Sequence, residues 1–221
     1  MALDPASQET TLRFLHVLSG IVWIGMLYFF NFVNLPLLKF QLRKPYEANM
    51  AEKATGPIVV KTLFFFRWGA LFTLLFGLLL LGAIAQNYAG MNGLAGYFLE
   101  RGVQGHAILL GILLALVMFV NVWFVIWPRQ QKILANNKAL ASVTDDAEKK
   151  RLGDANAPMV RVATLASRTN TWLSIPMLWG MVFGGHGHRG TTLGDWLFPL
   201  VVLAALLGLM AFYSRARKPK A

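Results

Sequence analysis

Four histidines, His16, His106, His186 and His188, are the side chains of this sequence best suited to holding a metal or a cofactor. Cysteine is absent, so disulfides, iron–sulfur clusters, thiolate nucleophiles and a covalently attached c-type haem are excluded within the chain. Imidazole remains, and it ligates iron, copper and zinc. His16 is followed after fifteen residues by Asn31, and His106 after the same interval by Asn121; Pro36 and Pro128 come next. At about 100° per residue, fifteen residues of helix return to within about 60° of the starting face. Each segment, read as a helix, presents a histidine near one end and an asparagine near the other on a similar face, which hints at a parallel two-helix repeat.

Two imidazoles at equal depth on facing helices are what a b-type haem in a helix bundle requires. His16 and His106 are therefore candidate axial ligands of a haem b. Ser19 and Gly20 beyond His16, and Gly105 and Gly111 around His106, are small enough to leave room for a flat macrocycle. Arg13 precedes His16 by three residues, shares its face, and is the candidate partner for the haem propionates. Arg101 and Arg189 could serve the same purpose or hold an anionic substrate. His186 and His188 form a separate pair in a glycine-rich stretch, a candidate copper or zinc site that two ligands alone do not complete. The plain alternative is that these cations lie at helix ends, bonded to water or lipid phosphate. Ionisable groups within membrane spans are nevertheless costly and tend to be functional.

The elements that would position these residues are membrane helices. Of 221 residues, 56% are hydrophobic and 14% charged, against about 25% charged in a soluble domain. The apolar residues come in long runs, and a span needs about 20 of them. Five spans are expected, at about 11–33, 62–85, 104–127, 170–185 and 193–213, giving an all-α integral membrane bundle in one domain. The third is expected to end at Pro128. The fourth is short, holds Pro176 and is expected to kink there. The polar stretch before the first span lacks a basic leader, so that span is expected to be retained as a helix.

Lysine and arginine set the orientation. Eighteen of the 21 fall on one side of this arrangement, in the loop after the first span, the long segment of about 129–168, the tail and Arg67; only Arg13, Arg101 and Arg189 fall on the other. The positive-inside rule then places the N-terminus outside and the C-terminus in the cytoplasm. The net charge of +11 is explained by topology, so nucleic acid is not implied. The segment of about 129–168 is expected as a cytoplasmic loop, with a charged helix over Lys132–Leu152 that is solvated or touches anionic lipid. Gly69, Thr73 and Gly77 form a small-residue stripe expected to pack helices. Trp68, Trp123, Trp127 and Trp172 are expected as interfacial belt residues. Arg67 lies deeper, either snorkelling to the surface or pairing with an anion or carbonyl in the bundle.

Three stretches carry a family resemblance: His16-Val-Leu-Ser-Gly-Ile-Val-Trp-Ile-Gly-Met-Leu-Tyr-Phe-Phe-Asn-Phe-Val-Asn34, Trp127-Pro-Arg-Gln-Gln-Lys-Ile133, and Ser167-Arg-Thr-Asn-Thr-Trp-Leu-Ser-Ile-Pro-Met177. In this order they resemble the membrane domain called the urate oxidase N-terminal domain. Longer members join it to a C-terminal cytochrome c and are associated with bacterial urate oxidation. The resemblance implies a multi-pass protein of a bacterial inner membrane, linked to electron transfer with a periplasmic cytochrome c, and adds weight to His16 and His106. These 221 residues hold no cysteine, so a cytochrome c fused as in the longer members is not expected here, and the resemblance leaves the substrate open.

Three functions follow as alternatives. One is a haem-dependent oxidoreductase or electron-transfer protein at the periplasmic side, coupled to a cytochrome c and oxidising urate or another small reductant. The second is a non-enzymatic accessory or scaffold subunit among other membrane subunits. The third is metal handling at the outer face by the four histidines.

Overall fold

The computed structural model describes residues 4–36 and 45–186, with side chains at 4–36 and 58–185. Every regular element among them is helical. Helix α1 covers Pro5–Tyr28 and runs on through a π-helical turn, Phe29–Asn34. Helix α2 is Pro45–Asn87. Short helical turns over 89–100 lead to α3, Val103–Val120, which also runs into a π-helical turn, Asn121–Ile126. Helix α4 is Trp127–Leu140, and α5 is Asp146–His186.

The helix starts follow from their capping residues. Asp4 accepts hydrogen bonds from the amides of Ala6 and Ser7, both at 3.1 Å, and Pro5 fills the first helical position, where a missing N–H costs nothing. The Ser7 hydroxyl and these amides hold the Asp4 carboxyl below its usual range. Asp145 caps α5 in the same way, accepting from Ala147 at 3.4 Å and Glu148 at 3.2 Å. Ahead of α3, Gly102 takes φ +58° and ψ −129°, a conformation open to glycine and strained for other residues, and so sets the direction in which α3 leaves the turn.

Among the described residues, three helices are long and apolar enough to cross a membrane: Pro5–Asn34, Ile58–Asn87 and Val103–Leu140. They contain the first three expected spans. The third does not stop at Pro128. Its π turn opens the backbone immediately before the proline, which then sits in the first turn of α4 rather than clashing inside a regular helix. The fourth expected span lies within α5, but α5 begins at Asp146, far ahead of residue 170. A polar stretch needs only one face to bury in order to fold as helix, and Leu152, Asn156 and Ala163 supply it.

The expected loop of about 129–168 is therefore a helical hairpin, α4 with the first half of α5. Asn136 donates to Asn156 at 2.8 Å, and Asn156 donates back to Asn137 at 3.0 Å, clipping the two helices together beside buried Ile133 and Leu152. The charged helix expected over Lys132–Leu152 is not continuous: it breaks at 141–145, where Asp145 caps α5, and the Lys149–Asp146 and Arg151–Glu148 pairs lie on the exposed side of α5. Residues 193–213, the expected fifth span, lie outside the described residues.

The helices associate in pairs. Along one seam α1 packs on α2; along the other, α3 and α4 pack on α5. Both seams run on small residues. A Cβ on Gly69 of α2 would stand 3.0 Å from the Trp23 backbone nitrogen, and one on Gly180 of α5 would stand 2.5 Å from the Ala107 carbonyl oxygen. Close backbone approach of this kind replaces the hydrophobic drive that lipid does not supply. The pairs meet in a core of Trp23, Leu27, Phe66, Met118, Val122 and Met177. Phe14, Ile21, Leu113 and Phe124 point outward and are more than half exposed. Such a surface is unfavourable in water and ordinary in lipid.

Candidate functional site

His16 is turned into the α1–α2 seam. Its Nδ1 lies 2.8 Å from the Thr73 carbonyl oxygen. A carbonyl can only accept, so Nδ1 carries a proton and donates; in the neutral tautomer this leaves the lone pair on Nε2. Thr73 turns its own hydroxyl back onto the Gly69 carbonyl at 2.7 Å. One turn further, Gly77 makes room for the ring: a Cβ there would stand 3.0 Å from His16 Cε1 and 3.1 Å from Nδ1. The stripe of Gly69, Thr73 and Gly77 thus packs the helices, as its spacing suggested, and also orients the imidazole.

The other sequence candidates separate. His106 is exposed, one turn into α3, and does not face the bundle. Helical periodicity related His106 to Asn121 on its own helix, but it cannot say which side of that helix meets a neighbour. The structure therefore does not bring His16 and His106 together across a shared space. Arg13 pairs with Glu9 at 2.6 Å, and Asn87 donates to the same carboxylate at 2.8 Å. Arg13 also lies 4.0 Å from where a Cβ of Gly185 would stand. Arg101 donates to the Gly184 carbonyl at 3.4 Å and stacks 4.6 Å from the Tyr97 ring centroid. Two arginines, one on α1 and one in the turn before α3, thus approach the C-terminal end of α5, where the helix dipole is negative. That end carries His186. His188 and Arg189 lie outside the described residues.

Sequence reasoning missed a second constellation, a polar network that ties α1 and α3 to α5. Ser167, Asn170, Thr171 and Ser174 lie at i, i+3, i+4 and i+7, one face of a helix. Asn31 of α1 donates to Ser167 Oγ at 2.8 Å, and Tyr28 OH pairs with Ser174 Oγ at 2.9 Å. Asn121 of α3 donates to Asn170 Oδ1 at 2.9 Å, while Asn170 donates to the Met118 carbonyl at 3.0 Å. Asn170 and Ser174 are fully buried. The asparagine half of the repeated interval therefore does converge, on one face of α5. The spacing in Ser167–Ser174 was the available signal.

Trp68, Trp123 and Trp127, expected as interfacial belt residues, surround Arg67, whose guanidinium lies 3.8 Å from the Trp127 centroid. That guanidinium is thus held among rings and pairs with no carboxylate among the described residues.

No family model, curated protein or solved structure matches the chain.

Proposed function

We propose that this is a multi-pass protein of a bacterial inner membrane that binds a b-type haem near one end of its bundle and transfers electrons there. The observation that carries the reading is the His16 Nδ1–Thr73 carbonyl hydrogen bond. Ligating histidines characteristically donate their second ring nitrogen to such an acceptor, which fixes the tautomer and aims Nε2. Gly77 supplies the matching cradle for the ring.

The residues present fit one axial ligand and a cationic rim. The pairing of His16 with His106 within one chain does not fit, because His106 faces away. In this reading Arg13, near the α5 end, holds a propionate. Bound haem would supply one-electron chemistry, and the chain would set its exposure and ligation. Arg101, braced by Gly184 and Tyr97, is the residue for an anionic reductant such as urate. A periplasmic cytochrome c is the electron acceptor that the family resemblance suggests. The N-terminus is outside, and a fifth span at about 193–213 returns the basic tail to the cytoplasm.

The test is a spectrum of the protein purified after haem-replete expression. A Soret band that shifts on reduction, with about one haem per chain, is expected. A colourless preparation that retains its helical content would sink the proposal.

The outward face of His106 and the asparagine–serine network, which serves to bind helices, favour a second reading: an accessory subunit with no cofactor. Stable co-purification of membrane partners without haem would select it. Metal handling by the four histidines is a third, separated by metal content that falls in a His186→Ala/His188→Ala double variant while no haem is present.

A further inference from the structure

Arg67 lies nine residues into the apolar part of α2 that begins at Ile58, which is about 14 Å along the helix. Its guanidinium carbon is 3.8 Å from the Trp127 centroid and 5.6 Å from those of Trp68 and Trp123. Trp68 and Trp123 meet edge to face at 6.5 Å. Ring faces stabilise a cation electrostatically, but they take none of the N–H groups that fork outward in the guanidinium plane. Arg67 Nε is buried without a hydrogen-bond partner, and so are the indole Nε1 atoms of Trp68 and Trp123. A permanent cation with an unpartnered N–H of its own and two unpartnered indole N–H groups beside it, in a segment surrounded by apolar residues, is complementary to an oxyanion, and the arginine fork matches phosphate geometry.

Trp68 also lines an apolar groove of about 520 Å³ between α1 and α2, with Leu18, Val22, Phe64, Phe65 and Phe72. The cation and the groove therefore share one side chain. A ligand with a phosphate at one end and an acyl chain at the other meets both.

We propose that Arg67, with the indole N–H groups of Trp68 and Trp123, binds the phosphate of an anionic phospholipid whose chain lies in this groove. The site is distinct from the His16 region and stands whether or not the chain binds haem.

Native mass spectrometry of the full chain, released from detergent after incubation with phosphatidylglycerol or with inorganic phosphate alone, tests it. The wild type is expected to retain one phosphatidylglycerol, and Arg67→Gln none. Trp68→Phe keeps the ring but loses one donor, and should weaken retention by about fivefold. Equal retention by wild type and Arg67→Gln overturns the site. Retention of inorganic phosphate without lipid overturns the lipid as occupant. Where Arg67→Gln fails to fold, the Trp68→Phe/Trp123→Phe double variant decides: retention as in the wild type refutes the proposal.

Discussion

Helices α1 and α3 begin with the same pattern, a histidine and then an asparagine fifteen residues later, and the fold uses the two halves of that pattern differently. Both asparagines reach α5, Asn31 at Ser167 and Asn121 at Asn170. Both lie in π-helical turns, Phe29–Asn34 and Asn121–Ile126. The histidines diverge: His16 is bonded to the α2 backbone, and His106 is exposed. The asparagines lie where α5 is common to both helices, whereas at the other end each helix has its own neighbour. A shared interval therefore identifies a face, and only the neighbour decides what that face meets.

The comparison can be broken at its seams. Gly180→Ala should have the largest effect on stability, because its Cβ would meet the Ala107 carbonyl, backbone that cannot swing aside. A loss of about 1–3 kcal/mol is expected in chemical unfolding. Gly77→Ala should cost less, since an imidazole can turn; its signature is loss of the His16–Thr73 hydrogen bond. A melt in which Gly77→Ala proved the more damaging would reverse the ranking of the two pairs.

Asn170→Ala strips a partner from both Asn121 and the Met118 carbonyl in a fully buried place, and about 1–2 kcal/mol of destabilisation is expected. Asn31→Ala removes one bond to α5, together with a local bond to the Leu27 carbonyl, at a half-buried position and should cost about 0.5 kcal/mol. Equal losses would mean that the network does not favour α3 over α1. The absence of cysteine makes labelling clean: His106→Cys should react with a maleimide in the assembled protein, and His16→Cys should resist until unfolding. Similar rates at the two positions would contradict the divergence of the histidines.

The smallest effect concerns pH at the start of α1. The folded Asp4 carboxyl lies below its ordinary 3.8, so its capping contribution is complete above that value and is lost as pH falls below it. Amide exchange at Ala6 and Ser7 should rise in that acidic range while the middle of α1 stays protected. Fraying that began near neutrality would assign the cap to another group.

How much of this was legible beforehand varies by region. The three apolar helices were readable from their runs, because lipid-facing residues leave an unbroken apolar record. The first half of α5 was readable only at its charged start, since its continuation into the fourth span depends on one buried face beside α4 and on asparagine clips that no hydropathy window detects. Thr73 could not be foreseen as the partner of His16, because the acceptor is a backbone carbonyl, which every residue carries. Arg67 stood out as a deep cation, but its surrounding indoles come from two helices 55 or more residues apart in sequence, a distance over which periodicity is silent.

The central claim is that His16, and not His106, is the histidine prepared to ligate. The direct measurement is the pair of absorption spectra of His16→Ala and His106→Ala, purified alike after haem-replete expression. The account predicts that the Soret band is lost from the first variant and unchanged in the second. A band that survives His16→Ala, or that disappears with His106→Ala, would contradict it.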